Sequence, residues 1–279
     1  MKRLLLLGAT GKLGLAIQKT FSSNFALFTP TRTQLNVQEP KELENYIKTI
    51  QPHIVCNCIA FMGDACARNS DLAYAINRDL PANLAQLSVQ YNHTLIHTST
   101  EAVFSDAPYG VCYNESHPPS PINIYGQSKW EGEQAVQKYG IQYYIFRLPL
   151  LFGPVVHKQQ FVEKMLLKVE EGITKLHIAD DIISTPSYTL DIATEMKEIL
   201  LHDEYGLFHL CNTEPTTYFE LIRALMHHLY PHVQIYPAKH SDFPYMGRKN
   251  LRTPLSTQKR PSLRSWREAL VDYTDLINK

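Results

Sequence analysis

The sequence predicts an α/β protein with a doubly wound, Rossmann-type parallel sheet. Three observations indicate this fold. In the first half of the chain, short apolar runs alternate with amphipathic helical patterns, as they do where helices cover both faces of a parallel sheet. A glycine-rich turn at 8–14 separates the first apolar run from the first helical pattern. With 279 residues, of which 44% are hydrophobic, the chain is long enough to bury a sizeable core.

The elements of the first half follow one another in a regular order. Apolar runs predict strands at 3–7, 26–29, 53–58, 94–98 and 141–147. Helical spacing predicts helices at 12–21, 40–50, 71–91 and 122–139. Pro40 fits this assignment because the first turn of a helix tolerates proline. The alternation places the five strands in a single parallel sheet.

A proline-rich loop interrupts this order between 105 and 121. Its breakers exclude a helix or a central strand, and they are Pro108, Gly110, Pro118, Pro119 and Pro121. Long loops beside a parallel sheet are uncommon unless they serve a site, so we expect this loop to border one.

The second half of the chain shows a looser pattern. It predicts helices at 161–171, 190–201 and 218–230, and short strands at 207–210 and 233–236. We therefore predict a dinucleotide-binding domain over 1–154 and a smaller C-terminal, substrate-binding lobe over 155–279. Some segments of the lobe are expected to return to the sheet domain.

Composition and charge limit the partners. Lys and Arg number 27, as do Asp and Glu, so the formal net charge is zero, which argues against a nucleic-acid or anionic membrane surface. The apolar run at 4–7 is too short for a secretory signal, and no stretch approaches the roughly 20 apolar residues of a membrane span. We expect a soluble, cytoplasmic protein.

Cysteine and histidine spacing does not indicate a metal site. The five cysteines are scattered, and Cys56 and Cys58 alternate with Asn57 in an apolar run, as strand residues do. The 12 histidines are dispersed, and the adjacent His227 and His228 point apart on a predicted helix. We therefore predict that the protein holds no metal.

The glycine-rich turn predicts a dinucleotide site. Gly8 and Gly11 allow a pyrophosphate to approach the backbone, and the helix that follows offers unpaired N–H groups at its start. Gly14 lets this helix pack closely on the sheet. The alternative is that the glycines serve only the tight turn. The predicted cofactor contacts here are Gly8, Thr10, Gly11, Lys12, Leu13 and Gly14.

The end of the second strand bears on the choice of cofactor. Dehydrogenases that prefer NAD usually place an acid there to bind the ribose hydroxyls, but this chain reads Thr-Pro-Thr-Arg at 29–32. The planar guanidinium of Arg32 suits a 2′-phosphate, which favours NADPH over NADH. The alternative is that Arg32 is a solvated loop charge.

A YxxxK sequence on a predicted helix supplies a proton-handling pair. Tyr125 and Lys129 are four residues apart and therefore share one face of the helix. A nearby ammonium favours the phenolate, so we expect Lys129 to lower the pKa of Tyr125 from about 10.

Hydroxyl side chains cluster at the end of the fourth strand. Thr98 and Thr100 point to one side of an extended chain and Ser99 to the other. One of these hydroxyls is expected to orient a substrate carbonyl toward Tyr125. The alternative is a cluster that satisfies its own backbone.

With these elements in order, the sequence resembles the extended short-chain dehydrogenase/reductases, and more narrowly the dTDP-4-dehydrorhamnose reductase family. The likeness covers nearly the whole chain. The matching segments are GATG at 8–11, QPHIV at 51–55, NCIA at 57–60, STEAVF at 99–104, PINIYGQSK at 121–129, FRLP at 146–149, FG at 152–153, DIISTP at 181–186 and LST at 255–257.

The resemblance implies a role for each of these side chains. Tyr125 is implied as the proton donor, Lys129 as the residue that holds the nicotinamide ribose, and Thr100 as the hydroxyl that orients the substrate. Residues 148–151 would lie near the nicotinamide. Further implied contacts are Cys58 and Ala60 with the cofactor, and Ser99, Glu101 and Arg147 with the substrate.

The reaction that the resemblance implies is a ketone reduction. NADPH, or NADH as the second choice, would reduce the C4 ketone of a nucleotide-linked 6-deoxy-4-ketohexose, as in making dTDP-L-rhamnose for a bacterial surface polysaccharide. The resemblance also implies a homodimer.

Departures from the family pattern lie on the substrate side and leave two alternatives open. The usual Asp-Tyr after the strand-end threonine is Glu101-Ala102 here, and the usual Arg-Pro near the C-terminus is replaced at 248–250. One alternative is a non-catalytic, NADP-binding regulatory subunit that resembles the β subunit of methionine adenosyltransferase. The other is a nucleotide-sugar epimerase or dehydratase.

Overall fold

Twelve strands and ten α-helices form the described parts of the structure. The computed structural model describes residues 1–154, 160–202, 205–245 and 247–278. The strands are β1 (Lys2–Leu7), β2 (Phe25–Phe28), β3 (Ile54–Asn57), β4 (Thr94–Thr100), β5 (Tyr143–Leu148), β6 (Leu151–Phe152), β7 (Lys175–Ala179), β8 (Ile183–Ser184), β9 (Ser187–Tyr188), β10 (Gly206–His209), β11 (Thr216–Thr217) and β12 (Gln234–Ala238). The helices are α1 (Lys12–Phe21), α2 (Pro40–Ile50), α3 (Ala65–Arg68), α4 (Ser70–Tyr74), α5 (Leu80–Gln90), α6 (Ile124–Tyr139), α7 (Phe161–Glu170), α8 (Thr189–Leu201), α9 (Tyr218–Leu229) and α10 (Trp266–Ile277).

The central sheet has six strands in the order β10-β5-β4-β3-β1-β2, and all neighbours run parallel. Each predicted strand and helix is found with its ends within two residues of the expected positions, although the helix predicted at 71–91 is divided in two. The predicted α/β, Rossmann-type fold class is therefore confirmed. Strand β1 lies between β2 and β3, so the chain leaves it in opposite directions, and this reversal forms a crevice at the carboxyl ends of the strands.

Apolar side chains cover both faces of this sheet. Leu4 and Leu6 of β1 point toward α1 and α8, whereas Leu5 and Leu7 point toward α2, α5 and α6. This alternation is the period of two expected of a strand, and burial on both faces explains why β1 reads as a continuous leucine run.

The C-terminal part divides between the sheet and a separate core. Strand β10 extends the central sheet beside β5, and α8 packs on α1, so the chain returns to the sheet layer as expected. A second core forms among α7, α9, α10 and the β7–β12 pair, with Trp266 fully buried. We call this second core the lobe. The predicted boundary at 154 adjoins 155–159, which lie outside the described residues, and stays a prediction.

Several elements were not predicted, and helix α10 and strand β7 are the longest of those missed. Helix α10 begins with a capping box, in which Ser265 accepts from the Glu268 backbone N–H and the Glu268 side chain accepts from the Ser265 N–H. The Ser-x-x-Glu signal is present in the sequence and could have been recognised. Strand β7 is too short and too exposed on alternate residues to stand out.

The predicted helix at 71–91 is interrupted by a π-helical turn over Ala75–Asp79, between α4 and α5. This turn faces α6 at Gly132, where an added Cβ would collide with the carbonyl oxygen of Asn77. A wider turn and a glycine therefore allow the two helices to approach closely. Periodicity alone does not reveal such a turn, because the apolar stripe continues through it.

The proline-rich loop packs against the C-terminal tail. Ala107 donates its N–H to the Arg252 carbonyl, and Tyr113 donates to the Pro254 carbonyl. The loop ends at Pro121, immediately before the residues that line the cleft described below. Within the described ranges, no helix has the length and apolar character that crossing a bilayer requires.

Candidate active site

The glycine turn lies at the reversal of the sheet. Gly8 adopts a φ of +83°, and an added Cβ would lie 3.0 Å from the carbonyl carbon of Cys58, at the end of β3. Gly14 has no room for a Cβ either, because an added Cβ would collide with the Gly8 carbonyl oxygen and the Ala9 backbone. No side chain caps the start of α1, where Gly11 is the N-cap residue. The first N–H groups of α1 therefore point into the crevice without an intrahelical acceptor.

The side chain of Lys12 turns away from this crevice and into the protein. Its Nζ donates to the Leu151 carbonyl at 2.7 Å and forms an ion pair of 2.8 Å with Glu163 of α7. Both side chains are almost fully buried, and burial lowers the pKa of Lys12 against the opposing effect of Glu163. If Lys12 contacts the cofactor as predicted, it can therefore do so only through its backbone N–H.

The remaining predicted cofactor residues border the same crevice. Cys58 donates its N–H to the Leu7 carbonyl at the end of β1, and Ala60 follows two residues later, partly buried. Arg32 is exposed in the turn that follows β2, the neighbour of β1.

Tyr125 and Thr100 meet at the ends of α6 and β4. Asn123 caps α6 by accepting from the Gly126 N–H at 2.8 Å, which fixes the first turn that carries Tyr125. The Thr100 hydroxyl hydrogen-bonds the phenol of Tyr125 and accepts from the Ala102 N–H at 3.2 Å. Thr100 thus serves its own backbone and the phenol at once, and its predicted role in orienting a substrate carbonyl stays a prediction.

The electrostatics of Tyr125 differ from expectation. Burial raises its pKa to about 12, although the hydrogen bond from Thr100 acts in the opposite direction. The predicted lowering of the Tyr125 pKa is therefore wrong for the protein alone, because desolvation of the phenolate dominates and the nearby Cys66, Glu101 and Tyr245 raise the pKa further. A phenol with a raised pKa stays protonated at neutral pH, which is the state of a proton donor.

Lys129 lies one turn beyond Tyr125 and is 1% exposed. Its Nζ donates to the Thr98 carbonyl at 2.6 Å and lies 3.3 Å from the Nε2 of His97. Burial lowers its pKa to about 8, while the charges of Glu133 and Cys58 oppose this shift. The ammonium is therefore buried one helical turn from Tyr125 and loses its proton more readily than an exposed lysine would.

Arg147 and Ser99 are less simply placed. Arg147 is 4% exposed, and its Nη2 bonds Glu133 at 2.7 Å, so it ties β5 to α6 from inside the protein. This placement does not fit a direct contact between Arg147 and the substrate, because the guanidinium is buried and donates its hydrogen bonds to the carboxylate of Glu133. Ser99 is buried, and its hydroxyl has no hydrogen-bond partner among the described residues.

The substrate side of the cleft carries a second set of polar groups. Glu101 accepts from the Ser184 hydroxyl at 2.6 Å, and burial raises the pKa of Glu101 to about 8 against the effect of Lys249. The ammonium of Lys249 lies over the rings of Tyr245 and Tyr218, at 5.5 and 5.7 Å from their centroids. A cavity of about 240 Å³ adjoins Tyr125, and its other lining residues include Cys66, Ile122, Tyr245, Gly247 and Arg248. In the described parts of the chain, no three potential ligands come together as a metal site requires.

Comparison with known proteins decides the family. Residues 1–278 match the profile of the RmlD substrate binding domain. The chain belongs to this family. The predicted membership in the extended short-chain dehydrogenase/reductases, and in their dTDP-4-dehydrorhamnose reductase branch, is thereby confirmed.

Individual relatives of this RmlD family member carry different names. A crystal structure of dTDP-4-dehydrorhamnose reductase from Bacillus anthracis in complex with NADP is 26% identical, covers 100% of both chains and superimposes with a TM-score of 0.91. The spore coat polysaccharide biosynthesis protein SpsK of Bacillus subtilis is 28% identical over 98% of this chain and 97% of its own. The methionine adenosyltransferase 2 subunit beta of Danio rerio is 31% identical over 80% of this chain and 73% of its own.

Sequence reasoning missed several groups that build this RmlD-family site. Asn77, in the π-helical turn, donates to the Ser128 hydroxyl of α6 and to the Phe61 carbonyl, and it accepts from the Phe61 N–H. It therefore links the segment after β3 to the helix that carries Tyr125. Asn77, His97 and Glu133 are polar residues inside apolar patterns, and only tertiary contacts show what they bond.

Proposed function

We propose that the protein reduces the C4 ketone of a nucleotide-linked 6-deoxy-4-ketohexose with NADPH. The observation that carries this proposal is the arrangement of Tyr125, Thr100 and Lys129. A protonated phenol and an alcohol meet beside a cavity, with an ammonium one helical turn below. This set of groups can orient a carbonyl and deliver a proton to its oxygen.

The crevice fits a dinucleotide. Side chains are excluded at Gly8 and Gly14, and the uncapped start of α1 presents N–H donors to an anion. When bound, the nicotinamide would supply the hydride. Support for NADP comes from the Bacillus anthracis relative, whose crystal structure contains it, and from Arg32, whose guanidinium suits a 2′-phosphate.

Three side chains would take separate roles in the proton transfer. Thr100 would orient the substrate carbonyl, and Tyr125 would donate its proton to the oxygen as negative charge develops there. Lys129, held by the Thr98 carbonyl, would place its ammonium against the nicotinamide ribose and stabilise the phenolate that remains. Glu101 and Lys249 would contact the sugar or its diphosphate.

The substrate class is supported from two directions. The names of the relatives include a dTDP-4-dehydrorhamnose reductase and a polysaccharide biosynthesis protein. The cavity beside Tyr125 has aromatic and cationic groups at its border, which suit a sugar and a diphosphate. We propose that the product serves the synthesis of a surface polysaccharide in the cytoplasm.

A panel of nucleotide sugars tests this proposal. The purified protein is mixed with NADPH and with dTDP-, GDP- or UDP-linked 4-keto-6-deoxyhexoses, and cofactor oxidation is followed by absorbance. We expect NADPH to be oxidised at least tenfold faster with one nucleotide series than with the others. Absence of oxidation with every sugar, although NADPH binds, would overturn the proposal.

A second candidate is a regulatory subunit that binds NADP without turnover. The 31% identity to the methionine adenosyltransferase 2 subunit beta favours it, as do Glu101 and Ala102 where the reductase pattern has Asp-Tyr. Stoichiometric NADPH binding without oxidation of any ketosugar would support this candidate. An epimerase or dehydratase is less well supported, because such enzymes favour an acid at the position of Arg32 and retain NAD.

A further inference from the structure

His97 occupies a closed position between two other side chains. It is 0% exposed, as is Asn57, its direct register partner on β3. One ring nitrogen, Nδ1, lies 3.4 Å from the Asn57 Nδ2, and the other, Nε2, lies 3.3 Å from the Lys129 Nζ. The amide of Asn57, the ring of His97 and the amine of Lys129 thus form a row of neighbouring polar groups. Their protons have to be placed so that each donor faces an acceptor.

The backbone fixes which atoms Asn57 presents. Its Oδ1 accepts from the Ile59 N–H at 3.1 Å, and a flipped amide would place two donors against each other there. The amide nitrogen therefore faces His97 and offers an N–H to Nδ1. Burial and the charge of Lys129 hold the pKa of His97 well below its usual range, so the ring is neutral and carries one proton. With Nδ1 accepting, that proton lies on Nε2 and points at Lys129.

A donor that points at Lys129 disfavours the ammonium. A neutral amine accepts the Nε2–H of His97 and keeps its own donors for the Thr98 carbonyl, whereas an ammonium meets N–H against N–H at 3.3 Å. The imidazole can accept from the ammonium only in the other tautomer, which places its Nδ1–H against the amide of Asn57.

We propose that Asn57 and His97 form a dyad that controls whether Lys129 carries its proton. His97 is a positioning residue in this dyad, since it acts through Lys129. Two other groups also act on Lys129: Glu133 on its own helix, which pairs with Arg147 of β5, and the thiol of Cys58 beyond β3. The significance of the dyad for catalysis rests on the proposed function, but its existence does not.

The tautomer of His97 is the first measurement. The full-length protein is labelled with 15N-histidine, and long-range proton–nitrogen correlation spectra are recorded between pH 6 and 10. His97→Gln identifies the signals of this ring. We expect the Nε2–H tautomer in the natural chain and the Nδ1–H tautomer in Asn57→Asp, whose carboxylate accepts from Nδ1. An Nδ1–H tautomer in the natural chain would overturn the proposal without the need for any variant or activity.

The protonation of Lys129 is the second measurement. The dissociation constant of NADPH is determined against pH, since Lys129 is placed to meet the ribose. Asn57→Asp keeps the acceptor for Ile59, and we expect it to move the alkaline midpoint upward by about one pH unit. His93→Leu is the matched control, because His93 is also a buried histidine but immediately precedes β4, four residues before His97. It should leave the midpoint within about 0.2 units of the natural value.

A double variant separates the dyad from a simple charge effect. If His97 transmits the change, Asn57→Asp in a His97→Leu background should move the midpoint by less than half as much. An equal shift in both backgrounds would show that the new carboxylate acts directly and would overturn the dyad. Failure of NADPH to bind at all would contradict the proposed function, while the tautomer measurement would still decide the dyad.

Discussion

The two sides of the cleft hold their charges in different ways. On the cofactor side, Lys12 and Lys129 are buried, and each donates to a backbone carbonyl within 2.7 Å. On the substrate side, Lys249 lies against tyrosine rings, and Glu101 is bound by the hydroxyl of Ser184. The first arrangement fixes the positions of both lysine side chains but not the protonation of Lys129, whereas the second holds its polar groups partly exposed. Under the proposed function, the reaction type would therefore depend on the cofactor side and the choice of sugar on the substrate side.

The largest expected effect tests the cofactor side. Tyr125→Phe removes the proton donor, so we expect turnover to fall by about 10²–10⁴-fold while the dissociation constant of NADPH changes by less than about twofold. Steady-state rates and fluorescence titration measure the two quantities. Tyr139→Phe, at the exposed end of α6, is the control. Near-normal turnover of Tyr125→Phe would remove Tyr125 from the mechanism.

The buried ion pair of Lys12 and Glu163 is expected to contribute strongly to the free energy of unfolding. Lys12→Met leaves the carboxylate of Glu163 without its cation, so we expect the free energy of unfolding to fall by about 3–5 kcal/mol. Urea denaturation measures this loss. Lys12→Met combined with Glu163→Leu removes both charges and should recover most of it. A double variant as unstable as the single one would show that packing, rather than charge, holds this contact.

Glu101 is expected to make substrate binding depend on pH. Its pKa of about 8 means that the acid is neutral at pH 7 and becomes a carboxylate as the pH rises. A new negative charge beside a diphosphate sugar should raise the KM for the sugar by about fivefold between pH 7 and 9. Glu101→Gln cannot ionise, so its KM should stay flat over this range. A rise in the variant equal to that of the natural protein would assign the pH dependence elsewhere.

The smallest effect concerns Arg32 at the outer edge of the cofactor side. Arg32→Ala removes an exposed guanidinium that suits a 2′-phosphate, so the dissociation constant of NADPH should rise by about threefold. NADH lacks this phosphate and serves as the internal control, with little change expected. Equal weakening of both cofactors would leave Arg32 as a solvated loop charge.

Local signals were sufficient for most of the fold. Three such signals determine only the backbone near them, and the elements that they predict are present: the leucine run of β1, the glycines at 8–14 before α1, and Pro40 at the start of α2. The π-helical turn at 75–79 was not predictable, because it is matched to the close approach of Gly132 on a helix distant in sequence. For the same reason, the partner of Arg147 could not be read from its strand.

The sequence by itself determined the parallel α/β architecture, the dinucleotide turn and the pairing of Tyr125 with Lys129 on one helical face, because these depend on spacing along the chain. Only the tertiary structure decided the proton states. The raised pKa of Tyr125, the lowered pKa of Lys129 and the row from Asn57 through His97 depend on burial and on contacts between separate strands and helices. Desolvation and hydrogen-bond geometry arise when distant segments pack together, so no local pattern encodes them.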